Sequence, residues 1–375
     1  MSKPVLGDLM YKALMDKGVI ILAANVRVTP GVTEGIFRAA KDLDSAVIFE
    51  LAKSEGDLKV GYTGMNPGIY SDYVCKTAEV VDYDIWALHA DHITIKDGTP
   101  EDIQDAKSLI DAEIAADFTS FAIDASHLYD LSKENIREAL GRNIDVTTEL
   151  AKHIEKGMKG KSFGLEVEVG EIGKKDEHGH VLTTPEEAVT FLKALKENEI
   201  HPHVLAIANG STHGNIYDDH GNIIDQVSIN IPQTKAVAKA IRDNNFDVRI
   251  AQHGITGTPR DLINSMFPKG DIIKGNVATF WQNIVLDAYK VYEPELYKDI
   301  YNWTIETYKP KNPTKADNEI FSSNVKNALR VFYDRIHSVD TETKETIEAI
   351  VYAEARIFMK AFSSEGSAAY VRKVL

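Results

Sequence analysis

The chain has 375 residues, 43% of them hydrophobic and 26% charged, with a formal net charge of -15. Such a composition supplies a sizeable core. The acidic balance argues against nucleic acid or an anionic membrane as partner, and any anionic substrate would need local cations or a metal. The single cysteine, Cys75, excludes an intrachain disulfide and fits a reducing compartment. With no signal-like N-terminus and no apolar run of membrane length, the expected compartment is the cytosol.

Short apolar runs alternate with amphipathic segments along the chain. A short helix leads to a strand over 19–26, followed by a helix over 32–43 and strands over 46–51 and 84–91. No helix is assigned between those two strands. Thr99-Pro100-Glu101-Asp102 opens a helix, with a Thr cap, Pro in the first turn and acids at the positive end of the dipole. A strand over 118–124 precedes a long helical stretch over 133–158, broken near Gly141. A strand over 162–169 runs into a long polar loop, 170–184, and then a helix from Pro185. Strands over 203–209, 247–252 and 271–276 follow, with helices from Pro232 and Pro259 between them. Residues 279–375 read as a helical extension packed on the rest, with 309–315 a loop within it. Strands separated by helical crossovers pair in parallel, and eight of them imply a (β/α)₈ barrel over residues 1–280.

In such a barrel, catalytic groups lie at the C-terminal ends of the strands, and unusual polar residues gather there. Asn25 ends the first strand, His89-Ala90-Asp91-His92 the third, Asp124 the fourth, Asn209 the sixth and Asn276 the eighth. His213 follows the sixth strand closely, and His253-Gly254 ends the seventh. The fifth strand carries Glu166 and Glu168, two carboxylates on one face. A barrel strand has no solvated face, so these must be paired or must hold a cation. Any one of these histidines alone would more often be structural. Three from separate strand ends suit zinc with a position left open for substrate. His201 and His203 precede a strand and belong at the opposite end, and His127 and His153 have no motif around them. His213-Gly214 and the run His253-Gly254-Ile255-Thr256-Gly257 place small residues and hydroxyls where backbone N–H groups can cradle a phosphate.

Taken in order, these motifs resemble the class II fructose-bisphosphate aldolases and their ketose-bisphosphate relatives. An H-x-D-H matches 89–92, L-E-x-E-x-G matches 165–170, and x-H-G matches 212–214. H-G-G-S-G matches 253–257, and K-x-N-x-D-T matches 274–279. The resemblance implies that His92, His213 and His253 bind a catalytic Zn²⁺. It implies that Asp124 and Glu168 are ligands of a possible second divalent cation, and a monovalent cation is also possible. Asp91 would be the acid serving the aldehyde oxygen. Asn25 would contact the dihydroxyacetone part, and Gly214, Gly254, Thr256, Asn276 and Thr279 would contact phosphate and ketone. A carboxylate on the loop after the fifth strand would move the carbon-bound proton; Glu177 is the first choice, with Asp176 and Glu171 as alternatives. The implied activity is reversible aldol cleavage of a phosphorylated sugar, with fructose 1,6-bisphosphate first and tagatose bisphosphate or another ketose second, in a homo-oligomer (dimer or tetramer).

The chain departs from the family pattern at Ile255, in place of the second Gly, and at Ala278, in place of an Asp. The Ser expected after the second strand is not evident in Glu50-Leu51-Ala52-Lys53-Ser54-Glu55. A metal-dependent barrel hydrolase is the rival enzyme, but its usual H-x-H on the first strand is replaced here by Ala23-Ala24-Asn25. A non-catalytic sugar-phosphate binder would be expected to lose ligands, and all three histidines are present.

Overall fold

The computed structural model describes residues 3–176, 179–218 and 222–375. Its strands, in chain order, begin with β1 (Ile21–Asn25), β2 (Val47–Ala52), β3 (Trp86–Thr94), β4 (Ser120–Asp124) and β5 (Gly164–Glu168). A small hairpin of β6 (Lys175–Asp176) and β7 (Gly179–His180) follows, then β8 (Val204–Ala206). A second hairpin, β9 (Ile216–Tyr217) and β10 (Ile223–Ile224), precedes β11 (Arg249–Gln252) and β12 (Ile272–Val277). Eight of these close into a parallel barrel in the order β1-β2-β3-β4-β5-β8-β11-β12, with β12 pairing back onto β1. This is the expected (β/α)₈ architecture. Parallel neighbours need crossovers, and the helices that supply them cover the outer faces of the strands. The strands are therefore buried along almost their whole length.

Local signals start the crossover helices. Thr99 caps Pro100–Ala115 by accepting from the Asp102 N–H. Thr184 and Glu187 form a reciprocal capping box ahead of Pro185–Glu197. Between β2 and β3 the structure has a helix, Pro67–Val81, where none was expected. Its buried face is Tyr70, Val74, Thr77 and Ala78, a narrow stripe amid residues that also suit strands. The helical stretch after β4 divides into Ile136–Ala139 and Gly141–Met158. β8 is shorter than expected and stops before Asn209.

β3 runs on past Asp91 to Thr94 and contains an irregularity. Its pairing with β4 goes from Ala90↔Phe121 to Ile93↔Ile123, so Asp91 and His92 together face one residue of the partner. His92 has φ +42°. In a regular strand, neighbouring side chains point to opposite faces. The bulge lets Asp91 and His92 both turn toward the barrel mouth, at a cost in backbone strain of about 1–3 kcal/mol.

The far end of the barrel is plugged by the helix Gly7–Leu14, whose Tyr11 is fully buried. The helix Thr341–Ala361 lies along Val32–Leu43, and the absence of a side chain at Gly35 permits the approach. A Cβ there would stand 2.7 Å from the Glu348 carbonyl oxygen. Ahead of it in sequence, the turn Val325–Asn327 brings Lys326 to the rim of the barrel. Among the described residues no helix is long and apolar enough to cross a membrane.

Candidate active site

The metal, catalytic and substrate residues that the resemblance implies come together in one cleft of about 360 Å³ at the C-terminal rim. Glu177 is the exception, because it lies outside the described residues. Of the other loop carboxylates, Glu171 lines the cleft. His92 Nε2 and His253 Nδ1 face each other at 3.0 Å. The outer nitrogen of each ring meets a carboxylate. His92 Nδ1 lies 3.1 Å from Glu168 and 3.6 Å from Asp124, and His253 Nε2–H donates to Glu166 at 2.9 Å. The His213 ring stands 5.3 Å from that of His92 and 6.1 Å from that of His253, centre to centre. Histidine ligands of a metal usually have such a carboxylate behind them, which selects the tautomer and aims the free lone pair at the ion. The donor set fits a divalent cation. Ligand atoms of Asp91, His92 and His253 fall within 4.8 Å of one another, and so do those of His92, Asp124 and Glu168.

Asp91 is held from two sides. Asn25 donates to it at 2.9 Å and Asn276 at 3.3 Å. Beneath it, fully buried Lys274 donates to Glu166 at 2.6 Å and to His89 Nε2 at 2.9 Å, and its ammonium pairs with a Glu50 oxygen 2.6 Å away. Glu166 is thus paired, as a buried carboxylate must be, but with a lysine that no motif had linked to it. Lys274 is fully buried and does not line the cleft.

Several cleft residues were not anticipated. Arg27 donates to Glu55 at 2.8 Å and to the Thr279 hydroxyl at 3.0 Å. The Tyr62 ring has the Arg27 guanidinium 5.6 Å and the Lys326 ammonium 5.3 Å from its centre. His127 lies 3.6 Å from Glu171, and both line the cleft. Ser54, in the segment where the family's serine is not evident, lines it too. Asn209 does not; it bonds Thr234 and Gln252 in the wall behind. His203 sits at the plugged end of the barrel, accepting from the Leu165 N–H, and His153 pairs with Asp111 on the surface. Gly254 has φ +66°, and a Cβ there would lie 2.5 Å from the Thr212 carbonyl. The Ile255 side chain is fully buried against Gly275 and stays out of the cleft.

The family model for class-II fructose-bisphosphate aldolase matches residues 7–337. Among solved structures, the YdjI aldolase from Escherichia coli K12 superposes with a TM-score of 0.57 at 19% identity, over 97% of this chain and 100% of that one. The fructose-bisphosphate aldolase of Campylobacter jejuni gives 0.58 at 18%, over 96% and 94%. The fructuronate-tagaturonate epimerase UxaE from Cohnella laeviribosi gives 0.65 at 12%, over 92% and 82%. At such identities these are likenesses of fold, and the presence of an epimerase among them shows that fold alone does not name a reaction.

The electrostatics divide the carboxylates. Burial would raise the Asp91 carboxyl, but His92, Lys274 and His253 outweigh it and hold the group well below the usual range. Asp124 is also held low: its burial is outweighed by His92 and Ser126. Glu168 goes the other way, pushed up to about 7 by burial and by the neighbouring Asp124, with His92 opposing. In metal-free protein, infrared difference spectra between pH 6 and 8 should therefore show the buried Glu168 carboxylic acid giving up its proton. That band should vanish in Glu168→Gln; its survival in the variant would assign the proton elsewhere.

Proposed function

The chain belongs to the class-II fructose-bisphosphate aldolase family, and on that footing we propose that it makes and breaks the C3–C4 bond of fructose 1,6-bisphosphate, interconverting it with dihydroxyacetone phosphate and glyceraldehyde 3-phosphate. Membership makes it a metal-dependent lyase of sugar phosphates; the particular sugar, the metal and the residue roles are our reading. The observation that carries it is the facing pair of imidazole nitrogens of His92 and His253, each backed by a carboxylate. We assign His92, His213 and His253 to Zn²⁺, which favours neutral imidazoles and an open position. Asp124 and Glu168 would hold a second divalent ion beside His92. When bound, the catalytic ion supplies Lewis acidity to the ketone end of the substrate.

The chain's own groups do the rest. Asp91, ionised and held by Asn25 and Asn276, accepts the C4 hydroxyl proton as the bond breaks and returns it in the condensation direction. Asn25 and Asn276 also face the dihydroxyacetone portion. Gly214, Gly254, Thr256 and Thr279 supply hydrogen bonds for phosphate and ketone oxygens. A loop carboxylate, Glu177 by position or Glu171 by its place in the cleft, exchanges the carbon-bound proton. A bisphosphate is favoured over a monophosphate by two cations in the cleft, Arg27 and Lys326, with Glu55 the carboxylate bonded to Arg27. A tagatose bisphosphate would meet the same groups, so it remains the second reading.

Assays with a panel of ketose mono- and bisphosphates, run with and without chelator, test the reading as a whole. We expect chelator to abolish cleavage and Zn²⁺ to restore it. His253→Ala should lose both zinc and activity. Asp91→Ala should keep zinc and lose turnover by roughly 10²–10⁴-fold, the usual range for a general acid or base. Turnover by metal-free protein, or borohydride trapping of substrate on a lysine, would contradict the reading.

Lys326 gives a separate check on the bisphosphate preference. Removing a hydrogen bond to a charged group costs about 1.5–3 kcal/mol. Lys326→Ala should therefore raise KM for the bisphosphate by roughly tenfold or more, leaving zinc content unchanged and a ketose monophosphate nearly unaffected. An equal effect on both substrates would remove Lys326 from phosphate recognition.

A further inference from the structure

Lys274 is a charged side chain with no exposed surface, inside a barrel whose interior is ordinarily filled by branched apolar residues. Its ammonium has three N–H donors and three close acceptors: Glu50, Glu166 and His89 Nε2. Asp91 stands farther off, at 3.9 Å. Because His89 Nε2 accepts, its proton sits on Nδ1 and is donated to Ser120 Oγ at 2.7 Å. Glu166 is thereby gripped through one oxygen, and its other oxygen accepts from His253 Nε2–H. The proton on Nε2 leaves the lone pair of His253 on Nδ1, the atom that faces His92.

We propose that Lys274 is a positioning residue for the metal: by holding the Glu166 carboxylate in place, it sets the tautomer and aim of His253 and so the affinity of the cleft for its divalent ion. Stability alone is a poor explanation for the arrangement, since well-packed apolar side chains usually serve a core as well as a buried ion cluster or better. Without the ammonium, the Glu166 carboxyl is free to rotate, and His253 loses the acceptor that keeps its proton on the far nitrogen. Carboxylate partners of this kind typically account for 10–100-fold in metal affinity. The inference rests on reading His253 as a metal ligand.

Zinc affinity, measured by competition with a chromophoric chelator and without substrate, tests it. The proteins to compare are the parent, Lys274→Met, Glu166→Gln and the charge-balanced double variant. Each single change should weaken zinc binding roughly 10–100-fold. The double variant should bind no more weakly than the weaker single, because Lys274 acts on His253 only through Glu166. A purely structural role would lower the thermal midpoint of Lys274→Met and leave its zinc affinity intact; that result overturns the proposal, as do losses that multiply in the double variant. If Lys274→Met does not fold, parent-like zinc affinity in either Glu166→Gln or the double variant overturns it equally. His253→Ala is the control: parent-like zinc binding there would mean that the metal reading has failed, not the positioning role.

Discussion

A closed barrel has no solvated strand face, so any charge placed inside it must meet its counter-charge or lose it. That constraint organises this molecule from its axis to its rim. Lys274 on β12 holds Glu50 of β2 and Glu166 of β5 together, joining strands from different sides of the barrel. From that cluster, polar contacts climb to the mouth: Glu166 meets His253, and Asn276 bonds both Glu50 and Asp91. Taking such groups out of water costs several kcal/mol per ion, recovered only where geometry and extra hydrogen bonds are good. The irregularity in β3 belongs to the same economy of space, because without it Asp91 and His92 could not both face the cleft.

Much of this was legible in the sequence. The alternation of apolar runs and amphipathic segments implied the barrel, and barrel geometry gave the rim its meaning. What could not be read were the partners. Glu166 plainly needed a cation, but its lysine lies 108 positions away along the chain, and no local pattern joins the two. Arg27, Glu55, Tyr62 and Lys326 belong to no motif, and only the closure of β1 onto β12 and the return of the C-terminal helices place them in the cleft. The bulge at His92 depends on register between two strands, which a single strand cannot reveal. The helix Pro67–Val81 was missed because its buried stripe is narrow and its tyrosines and valines suit strands equally well.

The departures from the family pattern acquire physical reasons. Ile255 replaces a glycine at a position whose side chain turns into the core against Gly275, so the neighbouring backbone is free to serve the cleft. Ala278 lines the cleft without the family's carboxylate, and nearby Thr279 accepts a hydrogen bond from Arg27. The change makes that corner of the cleft more cationic, which suits the phosphoryl groups of the proposed substrate and offsets, locally, the net charge of -15 carried by the whole chain.

The central claim is that imidazoles hold the metal, aimed by buried carboxylates. X-ray absorption at the zinc edge of the reconstituted protein addresses it directly. The account predicts a first shell of nitrogen and oxygen with the multiple-scattering pattern of two to three imidazoles. A spectrum free of imidazole scattering would contradict it.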